Sequence, residues 1–186
     1  MRVVFVRHGE PDYTYVTERG FIGHGRALSQ LTELGERQAL AAARDVRLKG
    51  VALIVSSPYT RALQTAAIIS RHLDREIKIE IDLHEWMPDL THQFSGADAA
   101  IEAARLCAVN RGKCPADSPI RYEELRAVFD RADRCLRKYL HCDKIAVVTH
   151  GMLIRQFAFQ EKIPHCGISE IEYCENFPWS DRVEKA

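Results

Sequence analysis

Three stretches of the chain are apolar and rich in β-branched residues, and each stops abruptly at a polar or glycine-containing turn. Val3-Val4-Phe5-Val6 ends at Arg7-His8-Gly9, Val51-Ala52-Leu53-Ile54-Val55 at Ser56-Ser57-Pro58, and Ile145-Ala146-Val147-Val148-Thr149 at His150-Gly151. Short apolar runs bounded in this way predict strands buried on both faces. Ile77-Lys78-Ile79-Glu80-Ile81 alternates instead, which predicts a further strand leading into the loop Leu83-His84-Glu85-Trp86-Met87-Pro88. Residues 168–173 predict a last edge strand.

Between these runs the apolar period changes to that of a helix. Leu34, Gln38, Ala41, Ala42 and Val46 share one face, with Ser29 and Thr32 as caps and Gly50 as the stop, and predict a helix of about 15 residues. Ser56-Ser57-Pro58 supplies a serine cap and a first-turn proline for a helix through Ala62, Ala66, Ile69 and Leu73. Ser118-Pro119 repeats that signature and predicts a long helix through Val128 and Leu136 to Leu140, while shorter helices are expected over 97–108 and 152–158. Residues 11–30 have no clean period and contain Pro11, Gly20, Gly23 and Gly25 among aromatics, which predicts a long loop or lid.

Strands alternating with helices predict an α/β fold, a three-layer α/β/α sandwich with a mostly parallel central sheet. A length of 186 residues fits one domain, expected over 1–186. Ligands of such sheets bind outside the carboxyl ends of the strands. Arg7-His8-Gly9, Ser56-Ser57-Pro58 with Arg61, the Glu85 loop and His150-Gly151 each follow a predicted strand, so all four are expected at one edge.

Composition narrows the partners. Acidic and basic side chains balance at 26 each, so no global field draws the protein to nucleic acid or to an anionic membrane, and an anionic substrate must be held by a local cluster. Cys107, Cys114, Cys135, Cys142, Cys166 and Cys174 form no C-x-x-C pair, which argues against zinc and for reduced thiols. Met1 and Arg2 run directly into the first strand. The expectation is a chain with no leader and no membrane span, located in the cytoplasm.

The converging residues suit phosphoryl transfer, which requires a nucleophile, neutralisation of the equatorial oxygens and a proton for the leaving oxygen. An imidazole is substantially neutral near pH 7, so His8 is the expected nucleophile. Arg7 and Arg61 carry planar forks that match phosphate oxygens. His150, ending a strand at a glycine, is expected to donate a hydrogen bond to a phosphoryl oxygen. Taken singly, each has a plainer reading as a turn histidine, a solvated helix arginine or, for Glu85, a loop carboxylate. Their joint placement favours chemistry.

Arg7-His8-Gly9-Glu10 after an N-terminal strand resembles the signature of the histidine phosphatase superfamily, also called the phosphoglycerate mutase-like family. Leu31-Thr32-Glu33-Leu34-Gly35-Glu36-Arg37-Gln38-Ala39 and the segment from Ser56 through Arg61 to Ala66 resemble two further family motifs. Leu83-His84-Glu85 resembles the segment with the family's acid, and Val147-Val148-Thr149-His150-Gly151 the segment with its second histidine. The resemblance implies a phosphoglycerate mutase-like fold and a transient phosphohistidine on His8. It implies that Arg7, Arg61 and His150 surround the phosphoryl group, that Glu85 donates the proton, and that a main-chain N–H near Met152 reaches the phosphate. No metal and no organic cofactor take part in that chemistry. Pro11 in place of a threonine, a missing asparagine a few residues on, and Trp86-Met87-Pro88 after the acid depart from the family pattern at positions that contact substrate.

The expected function is hydrolysis of a small phosphomonoester; phosphoryl transfer of the phosphoglycerate mutase type is the alternative. Only about fifty residues separate the Glu85 loop from the last parallel strand, leaving little chain for extra cover, and this favours hydrolysis. A non-catalytic binding module would normally lose a core residue, and none is lost. A metal-dependent hydrolase built on His8, His24 and His150 lacks the carboxylates such sites need. Substrate identity and oligomeric state are left open.

Overall fold

The computed structural model describes residues 1–94 and 96–179. In chain order the first elements are β1 (Arg2–Arg7), β2 (Pro11–Asp12), α1 (Thr14–Glu18), β3 (Gln30–Leu31), α2 (Glu33–Ala42), β4 (Ile54–Ser56) and α3 (Thr60–Leu73). They are followed by β5 (Ile77–Ile79), α4 (Ala97–Val109), α5 (Leu125–Arg137), β6 (Lys144–Thr149), α6 (Gly151–Arg155) and β7 (Ile168–Glu172).

The main sheet has the order β5-β4-β6-β1-β7. Its first four strands are parallel and β7 runs antiparallel to β1. The expected α/β fold with a mostly parallel sheet is therefore present. Successive residues of a strand point to opposite faces, and β1 divides its apolar side chains accordingly. Val3 and Phe5 pack with α5 and α6 residues such as Phe129 and Leu153, whereas Val4 and Val6 pack with Ala62, Ala66 and Ile69 of α3. Burial on both faces explains why β1 and β6 read as unbroken apolar runs.

Register sets the site. Arg7 lies opposite Thr149, and Ser56 opposite Val148, so the carboxyl ends of β1, β6 and β4 are neighbours and the residues that follow them meet.

Several boundaries differ from the sequence expectation. The long helix expected from Ser118-Pro119 begins only at Leu125. Ahead of it the backbone bonds elsewhere: Leu90 N–H donates to Arg121 O (2.6 Å), Glu123 N–H to Met87 O (2.9 Å) and Leu125 N–H to Gly112 O (2.9 Å). Helix α2 stops at Ala42, because Asp45 caps a separate 3₁₀ turn at Val46–Leu48 that buries Leu48. Strand β4 is Ile54–Ser56 rather than 51–55, β5 ends at Ile79, and α6 is shorter than 152–158. Tyr59, not a serine, precedes α3 and makes no side-chain cap. The region expected to be a loop holds α1, a 3₁₀ turn at Gly23–Leu28 and the small ribbon of β2 with β3. The expected domain over 1–186 extends into 180–186, which lie outside the described residues.

One buried ion pair ties the fold to the site. Arg131 of α5 donates to both carboxylate oxygens of Glu123 (2.7 and 3.1 Å) and also to the carbonyls of Asp82 and His84. Both side chains are almost fully buried. Arg131→Met should lower unfolding stability in urea by about 3–5 kcal/mol, because Glu123 is left as an uncompensated buried charge. The double variant Arg131→Met, Glu123→Leu should recover much of that loss. A single-variant cost below about 1 kcal/mol would show that the pair does not hold the loop.

Candidate active site

His8 follows β1 directly, and its loop is fixed by close backbone contact. A Cβ on Gly9 would come within 2.5 Å of Gly35 O, and one on Gly35 within 2.3 Å of Glu10 O. The glycine after His8 therefore admits the first turn of α2. Gly9 N–H donates to Thr65 Oγ1 (3.0 Å), Glu10 N–H to Gln38 Oε1 (2.9 Å) and Thr32 Oγ1 to Glu10 Oε1 (3.0 Å). Thr32 also caps α2 by accepting from Gly35 N–H at 2.9 Å. The motif residues of α2 and α3 thus act as struts for the His8 loop.

The hydrogen bonds of His8 define its tautomer. Nδ1 lies 2.7 Å from Gly9 O, a group that only accepts, so Nδ1 carries the proton. Nε2 accepts from Arg61 Nε at 3.2 Å, so its lone pair faces the arginine. Burial first, and then the Arg61 guanidinium, hold the pKa well below the ordinary imidazole value. His8 is neutral at pH 7.

Arg61, in the first turn of α3, reaches across the site while itself buried. Besides His8 it donates to Ser29 Oγ (3.3 Å) and to His150 Nδ1 (3.4 Å). His150 is fully buried, with Nε2 2.8 Å from Ser57 Oγ, and desolvation followed by the Arg61 charge keeps it neutral too. The rings of His8 and His150 lie 5.0 Å apart, edge to face.

Arg7 is the last residue of β1, directly before His8. It donates to Ile163 O and to His165 Nε2 (3.3 Å), and its Nε is buried without a hydrogen-bond partner among the described residues. The His165 ring lies 5.8 Å from that of His8.

Glu85 completes the group. Oε1 accepts from Trp86 N–H (2.8 Å) and Oε2 from Met152 N–H (3.3 Å). Desolvation raises its pKa above the ordinary carboxyl value, against the lowering pull of those two N–H groups and of Arg61 and Arg131. Thr149 Oγ1 donates to Leu83 O (2.8 Å), which joins the Glu85 loop to the end of β6.

Glu85, Arg61 and Met152 line a cavity of about 410 Å³, with His8 and His150 buried behind Arg61. The structure thus gathers Arg7, His8, Arg61, Glu85 and His150, with Met152 N–H turned to Glu85. His24 lies instead against His92, ring centroids 4.4 Å apart. Among the described residues no group of three or more His, Cys, Asp or Glu side chains is placed to hold a metal ion. The described cysteines are unpaired thiols, and no helix of the described residues is long and apolar enough to cross a membrane. Four contributors escape a sequence reading. Ser29 and Ser57 look like helix caps, Arg131 like a helix-face arginine, and His165 follows a proline in an unpatterned stretch.

The pattern of the histidine phosphatase superfamily (branch 1) matches residues 3–179. Over 153 residues the chain is 31% identical to a Hydrogenobacter thermophilus protein named "Putative phosphoserine phosphatase 2", covering 81% of this chain and 73% of that one. It is 34% identical to a Cronobacter sakazakii protein named "Probable phosphoglycerate mutase GpmB", covering 96% and 87%. A solved mycobacterial glucosyl-3-phosphoglycerate phosphatase complexed with VO3 superposes with a TM-score of 0.69 at 23% identity, covering 92% of this chain and 90% of that one. That last likeness is one of fold.

Proposed function

The chain belongs to the histidine phosphatase superfamily, and on that premise we propose that residues 1–186 form one domain that hydrolyses small phosphomonoesters in the cytoplasm through a phosphohistidine on His8. The observation that carries this reading is the neutral Nε2 of His8, its proton held on the opposite nitrogen and its lone pair facing the Arg61 guanidinium.

In the first step His8 Nε2 attacks phosphorus, the bond from phosphorus to the ester oxygen breaks, and that oxygen takes the proton of Glu85. In the second, the Glu85 carboxylate accepts a proton from water, the water oxygen attacks the phosphoryl group, and inorganic phosphate leaves a neutral His8. Arg61 exchanges its bonds to the two histidines for phosphoryl oxygens, and the buried Nε of Arg7 supplies a further donor. His150 presents Nδ1–H when the Ser57 hydroxyl donates to its Nε2. The long bond from Met152 N–H to Glu85 is one that a phosphoryl oxygen can take over. Neither metal nor organic cofactor is required by these groups.

Glu85→Gln tests the acid. The amide keeps the shape but cannot supply the proton, so hydrolysis of an alkyl phosphate should fall by about a hundred- to ten-thousandfold. Nitrophenyl phosphate, whose leaving group departs unprotonated, should lose far less. Because the pKa of Glu85 is raised by burial, its proton persists above the usual carboxyl range and activity declines as pH rises through that raised value. On the acid side, His8 is protonated only well below the ordinary imidazole range, so activity persists there. Equal losses on both substrates would make Glu85 a positioning residue. A mutase-type transfer, the reading suggested by the Cronobacter sakazakii relative's name, would instead interconvert phosphoglycerates with little phosphate release.

A further inference from the structure

Of the groups that handle the phosphoryl unit, Arg61, Glu85 and Met152 line the cavity, with the Arg61 guanidinium 5.1 Å from the Tyr59 ring centroid, and the other lining residues have a different chemistry. Tyr13 and Tyr59 line it together with Trp86 and Phe94, and α4 contributes Ala100 and Ile101. Ile101 is 66% exposed on the helix that lines this space, and Tyr13, which lines the same space, is 38% exposed. Exposed large apolar groups gathered in a concave site mark a binding surface. Trp86 has its indole N–H satisfied by Glu123 O (2.6 Å), so that polar group is already spent. Tyr59 is partly desolvated, its hydroxyl pushed up to about 12.

Charge in this part of the cavity is already engaged. Asp89 accepts from Thr91 N–H, Thr91 Oγ1 and Gln93 N–H within its own turn. The Arg26 guanidinium lies 5.3 Å from the centroid of the Tyr13 ring. The walls that Tyr13, Tyr59, Trp86 and Phe94 supply suit a flat apolar ring better than a small acidic alcohol.

Resting on the phosphomonoesterase reading, we propose that the substrate's leaving group is an alcohol that carries an aromatic ring, bound against Tyr13, Tyr59 and Ile101. Pro88 and Trp86, which stand where the family pattern differs, line the same space.

Hydrolysis-inert phosphonates separate binding from chemistry. The full chain is titrated by calorimetry with 3-phenylpropylphosphonate, n-hexylphosphonate and 2-carboxyethylphosphonate. The phenylpropyl compound should bind tighter than the carboxyethyl one by on the order of fiftyfold, the scale set by burying one ring's apolar surface. It should also exceed the hexyl compound by about threefold, since rings facing rings gain beyond area alone. Ile101→Ser should reduce the phenylpropyl-to-carboxyethyl ratio about fivefold. Equal or tighter binding of the carboxyethyl compound overturns the proposal, as does a hexyl compound that matches the aryl one or a ratio that Ile101→Ser leaves unmoved. Phosphate release from 3-phenylpropyl phosphate tests the underlying reading separately. Aryl-selective binding without any release would overturn the hydrolase reading and leave the pocket assignment standing, whereas release without aryl selectivity overturns the pocket assignment alone.

Discussion

Replacing His8 with alanine should lower turnover of an alkyl phosphate by on the order of a millionfold, the scale seen when a covalent nucleophile is removed from an enzyme whose remaining groups act with it as a unit. The expectation follows from geometry. Nδ1 is committed to Gly9 O, so Nε2 is the nitrogen free to attack, and it is the atom that Arg61 touches. His150 is fully buried with its Nε2 on Ser57 Oγ, and the nearby His165 Nε2 accepts from Arg7. The residual rate, measured with the folded state checked by circular dichroism, should be no larger than that of protein-free controls supplemented with imidazole. A variant within tenfold of the parent would remove His8 from the reaction.

Arg61→Ala should cost on the order of a thousandfold in turnover, comparable to the loss of an arginine that stabilises a transferring phosphoryl group. Arg61 contacts His8, His150 and Ser29 through three different nitrogens, a reach that depends on the planar fork. Lysine carries the same charge as a single point and cannot make all three contacts. Arg61→Lys should therefore stay within about tenfold of Arg61→Ala. Recovery of full activity by lysine would show that only the charge matters and that the fork has no role.

These expectations rest on residues that are legible in the sequence to different degrees. The strands β1 and β6 are readable because burial on both faces makes them unbroken apolar runs, and the polar residues after them are then forced to one sheet edge. That brings His8 and His150 together from the sequence alone, and the strands predicted ahead of Ser56 and of the Glu85 loop add Arg61 and Glu85. The start of α5 is not readable. Ser118-Pro119 carries a proper helix-start signal, yet the backbone around Arg121 and Glu123 bonds to the Glu85 loop, and tertiary pairing outweighs the local preference. Gly9 is legible as special, but the reason is Gly35, a residue twenty-six positions away whose backbone it must admit. Ser57 and Ser29 are visible only as caps, because a hydroxyl that bonds a buried histidine or arginine has the same sequence context as one that caps a helix. Arg131 is hidden for a related reason: a charge on an amphipathic helix reads as solvent-facing unless its buried partner Glu123 is known.

The central claim is a covalent bond between phosphorus and His8 Nε2, and trapping it is the most direct test. The full chain is mixed for milliseconds with a phosphoryl-labelled alkyl phosphate and quenched in alkali, and the digested peptides are mapped by mass. The account predicts label on the peptide that contains Arg7-His8-Gly9, stable to base and lost in acid, and none on the corresponding peptide of the His8→Ala protein. Turnover at the parent rate with no label on that peptide, or equal label in the His8→Ala protein, would contradict it.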